Sequence, residues 1–444
     1  ERYKDSGVEW IGEIPEHWKK MSLKMLASNE KNSFVDGPFG SDLKNEEYQD
    51  DGIPLIQLNN IVDGKHILQN LKFISEEKAQ ELCRHIIYPN DIVIAKMAYP
   101  VARAARVNEE YDKYVIVADC VKLKPNITKC DIRFLVYVIN CPYVRSQAEI
   151  VASGTTRLRI SLGSLRNLQV FLPTLDEQKS IADYLDQKTA EMDSLIADKE
   201  KLIKLLQEKR QAIITEAVTK GLNPNVRMKD SGIEWIGEIP EHWELNKLKY
   251  VIRNGKEGIK IGPFGSSLKL DDMDESNPYK VYGQENIINN DFTRGNRFIT
   301  QEKFNEMCGY QLFSGDIVIS MMGTIGKCKV IPLGIQPGIM DSHLIRLRTN
   351  NGVMLPKFLE YLIDNTNYVK EQMNYMSKGS IMSGLNSSII KEIILVIPSV
   401  VEQKEIIDFL EQKTAEIDDL VTKIKIQIQK LKEYRQSLIS EAVT

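Results

Sequence analysis

Stretches with basic but no acidic residues are the part of this sequence best suited to bind another molecule. Lysines and arginines occur without any aspartate or glutamate between positions 91 and 109 and between positions 149 and 176. The same holds between positions 316 and 341 and between positions 371 and 392. Positive charge without neighbouring acids attracts phosphates, so the pattern predicts surfaces that bind nucleic acid. The alternative is that these stretches are solvated loops whose charge arose by chance.

The candidate contacts are the side chains in these stretches that can bind phosphates or base edges. In the first half of the chain they are Lys96, Tyr99, Arg103, Arg106, Thr155, Thr156, Arg157 and Arg159. In the second half they are Ser320, Thr324, Lys327, Lys329, Lys378, Ser380 and Asn386. Positions 57–60 and 284–286 form a second tier, because glutamine and asparagine can pair bidentately with adenine.

Sequence patterns of known catalytic sites are not found. The chain has neither Gly-x-Gly-x-x-Gly nor the Asn/Asp-Pro-Pro-aromatic loop of amino-methyltransferases. The glycines beside Lys327 are too close together for a phosphate-binding P-loop. The six cysteines form no Cys-x-x-Cys pair, so they are expected to be reduced, mostly buried thiols. We therefore predict a non-catalytic chain with no metal and no cofactor of its own.

Composition limits the class of protein. The 444 residues are 42% hydrophobic and 27% charged, an ordinary globular mixture that is too long for one domain. The formal net charge of −4 argues against a uniformly basic protein that coats nucleic acid, but it is compatible with local basic faces. No apolar run is long enough to span a membrane, and the polar N-terminus is unlike a signal peptide. We expect a cytoplasmic protein that does not bind membranes.

The chain contains one unit twice. Positions 4–18 (KDSGVEWIGEIPEHW) match positions 229–243, which differ only by isoleucine in place of valine. The motifs GPFGS-x-LK, DIVI, EQK and EAVT recur at the same offset. The stretches between these motifs have diverged, as expected if two related domains recognise different targets. The alternative is neutral drift of surface loops.

Each copy has a globular part and a helical part. Short apolar runs such as DIVI, bounded by turn residues, predict mixed α/β domains. Positions 176–218 contain no proline or glycine and have apolar residues in a heptad pattern, which predicts one very long helix. Such a helix cannot bury its apolar stripe alone, so we expect its repeat to pack against it antiparallel as a coiled coil, with pseudo-two-fold symmetry. The predicted segments are a domain at 1–173, a helix at 174–220, a linker at 221–228, a domain at 229–398 and a helix at 399–444.

Segments common to both copies are expected to be structural or to bind partners, because specificity should vary between copies. We therefore predict that GPFGS, at positions 37–41 and 262–266, is a scaffold turn rather than a phosphate cradle. By the same argument EWIGEIPEHW and the exposed helix faces serve packing and partner docking. The acids that open the helices, Glu177 and Glu402, suit the helix dipole, and simple capping explains them as well as a partner contact does.

In combination these motifs resemble the specificity subunit of type I restriction–modification systems. The resemblance covers essentially the whole chain, and its strength lies in all the motifs occurring twice in the same order. It implies two target-recognition domains, each reading half of a split, asymmetric DNA sequence, held apart by two antiparallel helices. It also implies that the chain has no catalytic site. One departure is that the chain stops directly after the second EAVT.

The resemblance further implies the partners. They are double-stranded DNA, two modification subunits that bind S-adenosylmethionine, and restriction–translocase subunits that use ATP and magnesium. Two rival interpretations of the sequence remain. One is an adaptor in which a duplicated domain on a coiled coil bridges proteins without reading DNA, and the other is an enzyme with an unfamiliar signature.

Overall fold

The computed structural model describes residues 2–62, 64–97, 99–154, 158–264, 267–321, 326–377 and 386–444. It divides into two compact units. Unit 1 comprises Glu1–Glu200 together with Lys425–Thr444, and unit 2 comprises Lys201–Ile424. Each unit therefore combines one globular part with segments of two long helices.

Unit 1 has short strands and a few helices before its long helix. Its described strands are β1 (Tyr3–Asp5), β2 (Glu13–Pro15), β3 (Lys19–Ser22), β4 (Phe34–Asp36), β5 (Ile53–Ile56), β6 (Ile61–Val62), β7 (Gly64–His66), β8 (Phe73–Ile74), β9 (Ile86–Ile87), β10 (Ile92–Ala95), β11 (Ala104–Arg106), β12 (Tyr114–Ile116), β13 (Cys120–Leu123) and β14 (Gln169–Leu172). Its helices are α1 (Glu76–Glu81), α2 (Ile132–Asn140), α3 (Pro142–Val151), α4 (Leu162–Asn167) and α5 (Leu175–Lys220), the last of which continues into unit 2.

The main sheet of unit 1 has the order β4-β13-β10-β11-β7-β6 among the described residues. A second sheet has the order β8-β5-β12-β9, and β14 pairs antiparallel with β3. The DIVI motif forms β10, whose residues are all buried, as expected for a continuous apolar run in a central strand. Helix α2 begins at Asp131, whose carboxylate accepts hydrogen bonds from the backbone N–H groups of Arg133 and Phe134. The sequence thus determines both the central strand and the helix that covers it.

Unit 2 likewise has short strands and helices before its long helix. Its described strands are β15 (Met228–Asp230), β16 (Glu238–Pro240), β17 (Glu244–Lys247), β18 (Ile259–Ile261), β19 (Tyr279–Tyr282), β20 (Phe298–Ile299), β21 (Ile317–Ser320), β22 (Cys328–Val330), β23 (Gly338–Met340), β24 (Leu344–Leu347) and β25 (Ile394–Ile397). Its helices are α6 (Gln284–Asn289), α7 (Gln301–Glu306), α8 (Pro356–Asn365), α9 (Asn367–Ser377), α10 (Ser387–Glu392) and α11 (Val400–Val443), the last of which continues into unit 1.

The described sheets of unit 2 have the orders β18-β24-β21-β22 and β20-β19-β23, and β17 pairs with β25. The second DIVI motif forms the start of β21, which is again fully buried. Strand β21 pairs antiparallel with β24 and β22, as β10 does with β13 and β11. The repeated motifs therefore occupy equivalent positions in the two units.

In each unit the long helix is joined to the globular part by a buried glutamine of the EQK motif. The amide of Gln178 accepts a hydrogen bond from the backbone N–H of Asp131 (2.9 Å) and donates to the carbonyls of Lys129 (3.1 Å) and Pro173 (3.0 Å). In unit 2, Gln403 makes the matching bonds to Leu355, Val353 and Pro398 at 2.8–3.0 Å. Both glutamines have no exposed surface. The EQK motif thus fixes the angle at which each helix leaves its domain.

Segments of α5 and α11 run antiparallel within each unit. In unit 1, Lys199 Nζ donates to Gln427 Oε1 at 2.8 Å, and Arg435 Nε lies 3.3 Å from Asp193 Oδ1. In unit 2, Arg210 Nε lies 3.2 Å from Asp418 Oδ1. The predicted apolar seam is only partly buried, because Leu195 and Leu202 are each 44% exposed. In the described part of the chain, no helix combines the length and apolar character needed to cross a membrane.

Candidate nucleic-acid interface

One end of the main sheet of unit 1 brings several predicted contacts together. Strand β10 ends at Ala95, and the next residue, Lys96, is buried with its ammonium 3.1 Å from Asp36 Oδ2. The backbone N–H of Lys96 donates to the carbonyl of Asp119 (2.8 Å), and its carbonyl accepts from Ile160 N–H (2.9 Å). The loops that follow β4, β10 and β12 therefore meet at this edge, together with the chain around position 160.

Arg159 lies at the same edge. It forms isolated bridges with both Met97 and Ser153, and its guanidinium lies 3.1 Å from Asp119 Oδ1. The side chain is half exposed. Tyr99, in the adjoining loop, is 77% exposed. The structure thus brings the backbone of Lys96 and the side chain of Arg159 to one edge, with the exposed Tyr99 three residues after Lys96; Tyr99 and Arg159 are the accessible side chains here.

Two other predicted contacts of unit 1 have different surroundings. The guanidinium of Arg103 donates to the carbonyls of Ile61 and Leu58, both at 2.8 Å, and so holds the 58–61 segment against the sheet. Arg106 pairs with Glu109 at 2.9 Å and lies opposite Ile92, at the far end of β10 from Lys96. It lines a cavity of about 520 Å³ beside α2 and α5. Arg106 is therefore not part of the cluster around Lys96.

The described predicted contacts of unit 2 are held by internal partners. Ser320 has no exposed surface, and its hydroxyl donates to Gln284 Oε1 at 3.0 Å, in contrast with the predicted surface contact. Lys327 Nζ lies 3.0 Å from Asp364 Oδ1 and keeps about a third of its side chain exposed. Lys329 Nζ lies 3.0 Å from Glu360 Oε1, and this pairing raises the pKa of Lys329 against the opposing effect of burial. Asn386 caps α10 by accepting a hydrogen bond from Ile389 N–H.

The remaining predicted contacts lie outside the described residues. They are Thr155, Thr156, Arg157, Thr324, Lys378 and Ser380. The second-tier positions 57–60 and 284–286 each include a fully buried asparagine. Asn60 donates to the carbonyls of Ile67 and Gln69, and Asn286 donates to those of Asp291 and Arg294. These two asparagines shape matching loops, and the second-tier prediction does not apply to them.

Sequence reasoning missed the acids that neutralise the basic stretches. Asp36 and Asp119 pair with Lys96 and Arg159, although both acids lie outside those stretches. Lys329 is paired with Glu360, which comes from α8, far along the chain. An acid-free stretch of sequence is therefore not an acid-free surface. The available signal was the four-residue spacing of Glu360 and Asp364, which places both acids on one face of α8.

The comparisons with known proteins agree with one another. A family model described as "Type I restriction modification DNA specificity domain" matches residues 15–205 and 259–430. The StySPI specificity subunit of Salmonella potsdam is 24% identical over 97% of this chain and 89% of its own length. The EcoKI specificity subunit of Escherichia coli K12 is 24% identical over 89% of this chain and 82% of its own length.

Solved structures share the fold. A chain from a study of complex assembly and conformational transition of the type I restriction–modification system superposes with a TM-score of 0.69 at 15% identity, covering 97% of this chain and 98% of its own. The HsdS subunit from Thermoanaerobacter tengcongensis gives a TM-score of 0.53 at 15% identity, covering 97% of both chains. Both matches extend over both units.

Proposed function

Because the chain belongs to the family of type I restriction–modification DNA specificity domains, we propose that its two units read the two halves of a bipartite, asymmetric DNA site. Its function is sequence-specific DNA recognition for a type I restriction–modification system, and it is a specificity subunit rather than an enzyme in itself. The observation that carries the proposal is the pair of family matches at 15–205 and 259–430, one in each half of a duplicated sequence.

We propose that each unit reads DNA with the loops at the end of its central strand. In unit 1 this end carries the accessible Tyr99 and Arg159, and positions 155–157 shortly precede Arg159 in the sequence. In unit 2 the corresponding segment follows β21 and includes Lys327 and positions 322–325. An arginine that binds a guanine edge specifies sequence, whereas a lysine on a phosphate adds affinity for any sequence. The buried Lys96 and Ser320 then support these loops from within. Arg103 instead holds the 58–61 segment and Lys329 pairs with Glu360, while Lys378, Ser380 and Asn386 stay second candidates in unit 2.

We propose that the two long helices set the spacing between half-sites as an antiparallel coiled coil. The predicted order along the chain is a recognition domain at 1–173, a helix at 174–220, a linker at 221–228, a second recognition domain at 229–398 and a second helix at 399–444. The antiparallel pairing of α5 and α11 inside each unit supports this proposal. A rigid separator of fixed length explains how the chain can accept two half-sites at one spacing and reject the same two half-sites at another spacing.

The catalytic chemistry is proposed to lie in the partners. Two modification subunits would bind S-adenosylmethionine and methylate adenine, and restriction–translocase subunits would use ATP and magnesium. The complex would act on DNA in the cytoplasm. The segments common to both units, such as EWIGEIPEHW, are suited to bind two copies of one partner, because a duplicated surface presents the same residues twice.

The proposal is tested by co-expressing the chain with its modification subunit and mapping methylated adenines across the host genome. A split motif with a fixed spacer is the expected result. Absence of new methylation in an assembled complex, together with the absence of salt-dependent DNA binding, would instead indicate an adaptor that bridges proteins.

The spacer role has its own test in the same assay. Inserting one heptad into each long helix lengthens the pair by about 10.5 Å, which is roughly three base pairs of B-DNA. The methylated motif should keep both half-sites and gain about three base pairs between them. Insertion of seven residues into the linker at 221–228 is the matched control and should leave the spacer unchanged. Methylation at the original spacing in the heptad variant would refute the ruler.

A further inference from the structure

Both units present one exposed phenylalanine on the GPFGS turn. Phe39 is 81% exposed and Phe264 is 83% exposed. The preceding prolines, Pro38 and Pro263, are buried. An isolated exposed apolar residue is ordinary, but the same residue exposed to the same extent at matched positions of two units is not explained by packing. The prediction of a scaffold turn therefore fits the glycine and proline of the motif and leaves the phenylalanine without a role.

The turn is anchored on both sides in the same way in both units. Gly37 N–H donates to the carbonyl of Cys120 at 2.8 Å, and Gly262 N–H donates to that of Leu344 at 2.8 Å. A Cβ atom on either glycine would lie within 2 Å of a carbonyl oxygen, so the backbone must approach the neighbouring strand closely. On the other side Leu43 and Leu268 are buried. The phenylalanine is thus held outward by a turn that is fixed at both ends.

The hydrogen bonds within the turn also repeat. Phe39 carbonyl accepts from Asp42 N–H at 2.9 Å, and Phe264 carbonyl accepts from Ser267 N–H at 2.8 Å. The N–H of Lys44 then donates to Glu47 Oε2, as that of Lys269 does to Asp272 Oδ2. Apart from positions 265 and 266, which lie outside the described residues, the same hydrogen bonds therefore flank the phenylalanine in both units.

The turn lies at the sheet end that carries the proposed reading loops. In unit 1, Asp36 directly precedes it and pairs with Lys96. In unit 2, Gly262 packs against the carbonyl of Asp341, and Met321 at the start of the reading segment donates to the carbonyl of His343. The turns that carry Phe39 and Phe264 therefore begin beside the proposed reading loops.

We propose that Phe39 and Phe264 contact double-stranded DNA as apolar wedges whose contribution does not depend on base sequence. This inference rests on the proposed function. A phenyl ring cannot hydrogen-bond to base edges, but it can pack on a base or insert at a base step of any sequence. Its identity in both units fits a sequence-independent contact, because the reading loops beside it differ between the units. Each half-site then receives one specific and one general contact.

The test compares Phe39→Ala, Phe264→Ala and the double variant of the full chain in complex with its modification subunit. The probes are two duplexes of equal length, one with the mapped site and one of mixed sequence without it. Each substitution should weaken binding to both duplexes by about tenfold, and the double variant by about a hundredfold. The ratio between duplexes and the slope of affinity against salt should not change, since no phosphate contact is lost. Ile127→Ala and Leu333→Ala, also exposed apolar residues, are matched controls and should bind as the unchanged chain does.

The other possible results separate a failure of the proposed function from a failure of the wedge alone. If the unchanged chain binds neither duplex in a salt-dependent way, the proposed function fails and the wedge fails with it. If the unchanged chain binds and the phenylalanine variants bind equally well, only the wedge is refuted. A loss confined to the duplex with the mapped site would refute sequence independence. Photocrosslinking from Phe39→p-benzoylphenylalanine should label DNA, and labelling of a protein subunit in its place would overturn the inference.

Discussion

The helix that covers the main sheet contacts the sheet through neutral groups in unit 1 and through charged groups in unit 2. In unit 1, Asn140 of α2 accepts a hydrogen bond from Ala104 N–H at 2.9 Å and donates to the Ala104 carbonyl at 2.8 Å. In unit 2 the same position of α8 is Asp364, which lies 3.0 Å from Lys327 Nζ. The same helix position thus holds a neutral amide in one unit and a carboxylate in the other, and in both units the polar group has a partner.

A second pair of positions shows the same exchange. Lys329 of β22 and Glu360 of α8 form a largely buried ion pair, and Glu360 also accepts from Lys357 Nζ and Val330 N–H. The strand register makes Ala105 the counterpart of Lys329, and Val136 of α2 is the counterpart of Glu360. Both positions are charged in unit 2 and both are apolar in unit 1. The fold therefore accepts either pair, provided that a buried charge at one position is matched by an opposite charge at the other.

The largest loss of stability is therefore expected when one partner of the Lys329–Glu360 ion pair is removed from unit 2. Glu360→Val should destabilise unit 2 by up to about 3–5 kcal/mol, because it removes the main buried partner of the Lys329 ammonium and leaves it only Asp364 Oδ2 at 3.4 Å. Lys329→Ala combined with Glu360→Val introduces the residues of unit 1 and should recover most of that loss. Hydrogen exchange of the α8 and β22 amides measures the effect locally. A double variant as unstable as the single one would refute the comparison.

The DIVI aspartates give a second contrast. In unit 2, Asp316 accepts hydrogen bonds from Arg348 Nε at 2.7 Å and from its Nη2 at 3.2 Å. In unit 1, Asp91 is buried and accepts from Tyr88 N–H at 3.1 Å, while the equivalent cation, Lys124, pairs with Glu30. Burial raises the pKa of Asp91 to about 6. The native state therefore holds a proton that the unfolded chain has already lost between about pH 4 and pH 6.

Stability of unit 1 should fall as pH rises through that window, because above pH 6 the native state holds a buried charge. Asp91→Asn removes this dependence and keeps an acceptor for Tyr88 N–H. The variant should be more stable than the unchanged chain by up to about 3 kcal/mol at pH 8 and equally stable near pH 4. Denaturant unfolding followed by exchange of the β10 amides measures this. In unit 2, Asp316→Asn should instead destabilise at pH 8, and a gain there would contradict the contrast.

Much of the fold follows from local sequence. The DIVI runs predict the central strands, and the absence of proline and glycine predicts the long helices, because both signals are set by neighbours in the chain. The acids that pair with Lys96, Arg159 and Lys329 could not be predicted in this way. They come from other strands and helices, and only the packing of those elements brings the charges within 4 Å.

Only part of the candidate DNA interface could likewise be predicted from local sequence. Divergence between the copies directs attention to the segments after β10 and β21, whose predicted DNA contacts stay predictions. It could not distinguish the accessible Tyr99 from the buried Ser320, because exposure depends on the loops that cover each strand end. Identity between the copies predicts a scaffold, and Phe39 shows that a residue shared by both copies can also be exposed.

The smallest loss of stability is expected at the joint between each long helix and its domain, where the two units are alike. Gln178 and Gln403 are both fully buried and each makes three hydrogen bonds that join a long helix to its domain. Alanine at either position should cost about 2 kcal/mol, since a neutral hydrogen bond contributes about 0.5–1.5 kcal/mol and the backbone groups left behind gain partial access to water. Hydrogen exchange at the first turns of α5 and α11 measures both losses. The losses should agree within about 0.5 kcal/mol and should add in the double variant, because the two sites share no partner. A clear difference between them would mean that the joint, like the sheet-covering helix, has been adapted separately in each unit.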